Sequence, residues 1–110
     1  MSDKDIFNLK SILEATEKIE NFSAGFKNSD EFYEAQKEFD ACLMNFVVIG
    51  EMIERLSEDF KNKYKHIDWI RVKGFRNIIA HDYFGIDAEE VWQIIKDKLP
   101  EFVEEVKKIL

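Results

Sequence analysis

The sequence predicts an all-α protein, an up-and-down bundle of four to five helices forming a single domain over residues 1–110. Composition favours helices over a turn-rich β fold, because ten Phe and two Trp stand against four Gly and one Pro. Apolar residues recur at three- and four-residue steps, and no stretch alternates as a half-buried strand does. A chain of 110 residues is long enough to bury a sizeable core.

The first helix is predicted from an apolar stripe near the amino terminus. The residues on this stripe are Ile6, Leu9, Leu13, Thr16 and Ile19. Residues 22–28, which include Gly25, form the exit of this helix and a loop. Asn28 or Ser29 can cap the next helix, since Glu31 follows Asn28 by three residues as in a capping box.

The second predicted helix carries the strongest apolar pattern and spans residues 32–60. Its alternating three- and four-residue steps indicate a continuous rod of about 40 Å. Gly50 lies in the middle, where we expect it to allow the close approach of a neighbouring helix. Glu51, Glu54 and Glu58 form a row that we interpret as a solvated face, because no His has matching spacing.

A third helix is predicted over about residues 69–81, with the side chain of Asp68 as its amino-terminal cap. Its predicted apolar face consists of Val72, Phe75, Ile78 and Ile79. Gly85 then ends the region in a turn, and Asp87 caps a fourth helix. Pro100 is expected either to break that helix or to start a short fifth one.

The formal net charge of −7 argues against broad electrostatic binding to duplex nucleic acid. A local basic groove is still compatible with the sequence, because six Lys and Arg residues fall within residues 61–76, where Asp68 is the one acidic residue. The alternative interpretation of this cluster is a solvated face. Cys42 lies in an apolar run and is interpreted as a small core residue rather than a nucleophile.

No apolar segment approaches the roughly 20 residues that a membrane span needs, and the charged amino terminus has no signal-peptide core. We therefore expect a cytoplasmic protein that does not insert into membranes. Two His and one Cys without paired spacing do not predict a metal site. No Gly-rich phosphate loop is present, so neither a metal nor a cofactor is predicted.

Four polar side chains, Arg76, Asn77, His81 and Tyr83, fall within eight residues near the end of the third helix. Histidine can transfer a proton near neutral pH, and arginine offers a planar fork to phosphate oxygens. On an ideal helix Arg76 and His81 are about 140° apart, so they converge only if the last turn unwinds or a second copy of the chain contributes. The alternative is a surface cation followed by a helix-end cap.

The string from Arg76 to Tyr83, after Trp69 and before Asp87, resembles the HEPN superfamily and, more narrowly, its HepT-like toxins. The family motif is Arg, a polar residue, a few spacers and then His, with a Tyr two residues further on. Arg76, Asn77, His81 and Tyr83 match each element of this motif. The length and the helix order agree as well, so the resemblance spans essentially the whole chain.

This resemblance implies a metal-independent endoribonuclease toxin of a type VII-like toxin–antitoxin system, working as a homodimer with Arg76, Asn77 and His81 as catalytic residues at a shared cleft. The implied partner is a minimal nucleotidyltransferase antitoxin, which silences the toxin by AMPylation of Tyr83. Lys73 and Arg71 are predicted to contact the RNA substrate. The alternative is a non-catalytic subunit that binds a nucleotide or RNA for a nucleotidyltransferase.

Overall fold

Every regular element is helical in the computed structural model, which describes residues 1–110. The helices are α1 (Asp3–Ser23), α2 (Ser29–Glu34), α3 (Gln36–Arg55), α4 (Glu58–Lys63), α5 (Trp69–His81), α6 (Ala88–Gln93) and α7 (Leu99–Ile109). A 3-10 turn, Tyr83–Gly85, follows α5, and a π-helical segment, Ile94–Lys98, joins α6 to α7. The all-α class is confirmed, and none of the helices combines the length and apolarity that crossing a bilayer requires.

Side-chain caps fix the starts of the helices where the sequence predicted them. The Asn28 carboxamide oxygen accepts a hydrogen bond from the Glu31 N–H at 2.9 Å, and the Asp68 carboxylate accepts one from the Arg71 N–H at 3.0 Å. Gly25 provides the turn between α1 and α2 with a φ of 91°, which favours glycine. The predicted bounds of the third helix, now α5, are therefore confirmed.

The predicted continuous helix over residues 32–60 is wrong, because the chain forms α2, α3 and α4 there. Ala35 leaves the helical conformation with a ψ of 71°, and Leu56 does so with a ψ of 143°. The second break has a tertiary cause. The buried carboxylate of Asp5 accepts hydrogen bonds from the Ser57 N–H at 2.9 Å and from the Ser57 hydroxyl at 2.8 Å, so this N–H is not available to continue α3.

The core lies between α1, α3 and the carboxyl-terminal helices, with α5 packed along α3. Its most deeply buried members include Leu9, Ile12, Ile49, Ile53 and Val106. Ile79 is buried as predicted, and Val72 and Phe75 are half-buried against the core. Ile78 was also predicted to be apolar core but is 54% exposed, because it lies on the flank of α5 beside the open pocket toward the carboxyl-terminal helices.

The carboxyl-terminal region runs as one helical path from α6 to α7. Asp87 caps α6 by accepting a hydrogen bond from the Glu89 N–H at 2.9 Å. Near Pro100, which has no N–H to donate, the Leu99 N–H bonds to the carbonyl of Ile94, five residues earlier. This π-helical bond shifts the hydrogen-bond register, so Pro100 lies in the first turn of α7 as the sequence suggested.

Candidate active site

Aromatic packing holds the start of α5 in place and so positions the motif further along it. The Trp69 indole N–H donates to the Tyr64 carbonyl at 3.2 Å. The Trp69 ring also packs edge-on against Phe102, with ring centroids 6.0 Å apart. Ile79, about three turns beyond, is buried in the core. With both ends fixed, the rotation of α5 about its axis is determined, and each motif residue points in a defined direction.

Arg76 points toward α3, where its side chain lies directly over Gly50. A Cβ atom built on Gly50 would lie 2.5 Å from the Arg76 Cβ and 2.8 Å from its Cδ. No side chain fits in that space, so the predicted role of Gly50 in close helix packing is confirmed. The Arg76 side chain is only 17% exposed as a result.

Two neighbours orient the guanidinium of Arg76. Its Nη1 donates to Glu51 Oε1 at 2.6 Å, while Nε and Nη2 donate to the Asn77 carboxamide oxygen at 3.1 and 2.9 Å. A guanidinium has five N–H donors, so two are left without a partner, one on each terminal nitrogen. These two donors form the edge that can receive a pair of phosphate oxygens.

Each member of the acidic row on α3 and α4 is paired with a cation, a feature that the sequence interpretation missed. Glu51 pairs with Arg76, and Glu54 pairs with Lys73, whose hydrogen bond and charge lower the pKa of Glu54. In the same row Glu58 pairs with Lys61 at 3.2 Å. The signal was present in the sequence: in two antiparallel helices, acids at 51 and 54 match cations at 76 and 73.

His81, the last residue of α5, lies on the outer side of the helix and is exposed. Neither of its ring nitrogens makes a hydrogen bond within the chain, so both are accessible to a ligand. It does not contact Arg76, which faces α3. The structure therefore brings Arg76, Asn77 and Glu51 together and leaves His81 on a different face, consistent with the offset expected on a regular helix.

Tyr83 lies in the 3-10 turn after α5 and is 40% exposed. Its hydroxyl donates a hydrogen bond to the Asp40 carboxylate near the start of α3. This bond, together with burial and the charge of Asp40, raises the pKa of Tyr83 above its ordinary value. Since α5 ends at His81, Tyr83 does not share the face of Arg76 as it would on a continued helix. Asp40 and Glu51 are about 16 Å apart along α3 at about 1.5 Å per residue.

The two predicted RNA-binding cations lie on opposite flanks of α5. Lys73 lies on the α3 side with Arg76 and pairs with Glu54. Arg71 is exposed on the other flank and forms no ion pair within the chain. No group of three or more His, Cys, Asp or Glu side chains lies close enough together to hold a metal ion.

Comparison with known proteins identifies the family. A family model described as "Ribonuclease HepT-like" matches residues 12–109. A Methanocaldococcus jannaschii protein named as a gamma-glutamylcyclotransferase and candidate RNase is 35% identical over 102 residues, which cover 93% of this chain and 46% of that protein. The chain thus spans about half the length of that relative. No solved structure matches it.

Two further relatives match over most of their own length. A second M. jannaschii protein, named as a candidate RNase, is 35% identical over 93% of this chain and 84% of its own length. A Thermococcus cleftensis protein named "Probable ribonuclease HepT" is 29% identical over 92% of this chain and 91% of its own length. With the family model covering nearly all of its residues, this chain belongs to the HepT-like ribonuclease family.

Proposed function

We propose that this protein is a metal-independent endoribonuclease in which His81 and Arg76 act on one RNA phosphodiester. The observation that carries this proposal is the fixed orientation of Arg76. Glu51 and Asn77 bind its guanidinium, its side chain packs over Gly50, and two of its N–H donors have no partner. A cation fixed in advance, with its free edge toward a ligand, stabilises developing charge without first having to reorganise.

The reaction needs one proton acceptor and one cation. His81 removes the proton of a ribose 2′-hydroxyl, and that oxygen attacks the adjacent phosphorus. The bond from phosphorus to the 5′ oxygen breaks and that oxygen takes up a proton from water, which leaves a 2′,3′-cyclic phosphate on one product and a 5′-hydroxyl on the other. Arg76 donates to the non-bridging oxygens as negative charge builds up on them, and the unpaired amide N–H groups of Asn77 can assist. DNA lacks the attacking hydroxyl and is not cleaved.

The path of the RNA is proposed to follow the seam between α3 and α5. Lys73 lies on this seam, three residues before Arg76. A polar cavity of about 580 Å³ opens beyond it, with Lys61 and Lys65 in its lining. Lys65 forms no ion pair within the chain, whereas Lys61 and Lys73 would exchange Glu58 and Glu54 for phosphate oxygens when RNA binds. Arg71, on the other flank, remains a predicted RNA contact.

A homodimer is proposed as the working unit, because one chain does not bring His81 and Arg76 together. A two-fold axis near the end of α5 would let each copy contribute one of the two groups to a shared cleft. The outer side of α5 also carries exposed apolar residues, since Ile70 is 85% and Ile78 54% exposed. Such a surface is typical of a protein–protein contact.

The proposed partner is a minimal nucleotidyltransferase antitoxin that AMPylates Tyr83. The support is the position of this residue: it stands two residues after His81, and its hydroxyl lies at the surface on Asp40. Attached AMP would add a negative phosphodiester and an adenosine beside the motif, which hinders RNA entry. Intact mass and peptide mapping after co-expression with the antitoxin test this, and an unmodified Tyr83 in a silenced protein would exclude it.

The deciding experiment is RNA cleavage by purified protein in the presence of a metal chelator. His81→Ala and Arg76→Ala should each lose at least 100-fold in cleavage, the order of magnitude for removing a general base or an oxyanion donor, and stay folded. Met44→Ala, at a residue of α3 that is 60% exposed, is the control and should retain cleavage. Wild-type products should carry 2′,3′-cyclic phosphate ends.

The alternative function, a non-catalytic subunit that binds a nucleotide or RNA for a nucleotidyltransferase, uses the same free edge of Arg76. It differs from the proposed function because the wild-type protein would bind RNA without cleaving it. Wild-type protein that binds RNA through Arg76 but yields no products, with or without magnesium, would favour this alternative. Wild-type cleavage by folded His81→Ala would instead remove His81 from the mechanism.

A further inference from the structure

Phe84, in the turn immediately after the motif, is completely exposed. Its ring contacts only that of its neighbour Tyr83, edge-on, with centroids 5.3 Å apart. Gly85 holds the turn close, because any side chain there would meet the Asp82 carboxylate. An aromatic ring held out from a rigid turn leaves a large apolar surface in water, and such a ring is the kind of residue that anchors protein contacts.

An apolar pocket of about 430 Å³ lies on the flank of α5 that faces the carboxyl-terminal helices. Its apolar lining consists of Phe46, Ile49, Val72, Phe75, Ile78, Ile94, Leu99 and Phe102. Phe46 and Phe75 form an edge-to-face pair in it, with centroids 4.9 Å apart. A far smaller apolar cavity, of about 150 Å³, can hold benzene, so this pocket has ample room for the ring of a Phe.

The charges around the pocket and around Phe84 are complementary. Arg71 and Lys98 line the pocket and form no ion pair within the chain, against the single carboxylate of Glu90. The segment 82–87 that carries Phe84 contains two aspartates and no Lys or Arg. The acidic loop with its exposed ring is therefore complementary to the pocket, which is apolar and has cations at its edge.

We infer that Phe84 of a second copy of this chain fills this pocket, and that the exchange is reciprocal across a two-fold axis. The contact is isologous: each copy donates one ring and receives one. In this arrangement Arg71 lies beside the acidic loop of the second copy and pairs with it. The inference rests on the proposed homodimer and specifies which residues make it.

The register follows from the residue numbers. If Phe84 of one copy lies beside Phe75 of an antiparallel second copy, residue numbers facing each other sum to 159. His81 then lies beside Ile78 of the second copy. This register places the carboxyl-terminal ends of the two α5 helices next to each other at the two-fold axis.

Sedimentation of wild type, Phe84→Ala and Phe7→Ala tests the inference. Phe7, on α1, is 66% exposed and serves as the matched control. We expect a wild-type dimer, an unchanged dimer for Phe7→Ala, and a dimer Kd raised at least tenfold by Phe84→Ala. A wild-type dimer that Phe84→Ala leaves intact would overturn this inference but not the homodimer. A wild-type monomer that cleaves RNA would overturn both.

Photo-crosslinking identifies the occupant of the pocket. Benzoylphenylalanine placed at position 84 should yield a covalent dimer, with the attachment mapping to the peptide around Phe75 and Ile78 or to that around Leu99 and Phe102. The same crosslinker at position 7 should yield none. Attachment to other regions of the second copy, or to added RNA instead of protein, would overturn the proposed seating of Phe84.

Discussion

Replacing Gly50 with Ala tests whether the packing of α3 against α5 positions Arg76, the proposed catalytic cation. The new methyl group would lie 2.5 Å from the Arg76 Cβ, whereas carbon atoms in contact are about 3.5–4.0 Å apart. One of the two backbones must therefore move by about 1 Å, because the Cβ of Arg76 cannot move independently of α5. Overpacking of this kind costs about 1–3 kcal/mol, and the better helix propensity of Ala offsets about 1 kcal/mol of it.

The expected result is a protein that folds but cleaves RNA poorly. The free energy of unfolding should fall by about 0–2 kcal/mol, the difference between the two terms above. A displacement of about 1 Å in a catalytic group can lower the rate about 100-fold. Cleavage by Gly50→Ala should therefore fall much more than its stability, with folding measured by urea titration and rate under single-turnover conditions.

Met44→Ala is the control for this experiment, because Met44 is 60% exposed and lies on the same helix six residues before Gly50. It should leave cleavage unchanged. If Gly50→Ala cleaves RNA at the wild-type rate with undiminished stability, the close approach of α3 and α5 is not what positions Arg76. The proposed dependence of catalysis on that packing would then be refuted.

Three further predictions concern titrating groups. Burial raises the pKa of Asp5, but hydrogen bonds from Ser57 and Ser2 and the charge of Lys4 outweigh it, so the folded pKa is lowered. Asp5→Asn should therefore destabilise the protein at pH 7. In urea titrations the difference in unfolding free energy between wild type and Asp5→Asn should shrink as the pH falls below about 4, because the carboxyl then binds a proton in the unfolded chain before it does so in the folded one. Burial, and secondarily the charge of Glu38, raises the pKa of the Cys42 thiol to about 12, so mass spectrometry should find iodoacetamide adducts at pH 8 only in denaturant. Asp40→Asn should lower the pKa of Tyr83, measured by ultraviolet titration against Tyr83→Phe as the reference.

The features that sequence reasoning predicted correctly are those encoded locally. The caps at Asn28 and Asp68 and the bounds of α5 depend on residues within one helical turn of each boundary. Gly50 could be interpreted correctly because a glycine in the middle of an apolar helix has few structural roles. The match to the motif from Arg76 to Tyr83 is likewise a local pattern.

The continuous helix over residues 32–60 was predicted wrongly because the apolar period survives both breaks. Phe32 and Phe60 are buried on the core side although α2 and α4 have left the axis of α3. The break at Ser57 depends on a carboxylate 52 residues away in sequence, that of Asp5. No local pattern contains that contact, so a heptad alone cannot distinguish one rod from three helices that share a buried side.

The exposure of Ile78 and the ion pair of Glu51, whose side chain is still 47% exposed, share a different cause. Whether a side chain is buried depends on which helix packs beside it, and the pattern of α5 cannot show where the bundle ends. Ile78 belongs to an apolar stripe by spacing, but no element of its own chain covers it. Glu51 belongs to a polar stripe by spacing, yet α5 brings Arg76 onto it.

The distance between Tyr83 and Arg76 within one chain changes how the proposed AMPylation would act. The hydroxyl of Tyr83 is held on Asp40, about 16 Å along α3 from Glu51 and the guanidinium that Glu51 binds. A phosphodiester on Tyr83 is therefore badly placed to occupy Arg76 of its own chain. Tyr83 stands two residues after His81, so the attached phosphodiester and adenosine would act by hindering RNA entry beside His81 rather than by neutralising Arg76.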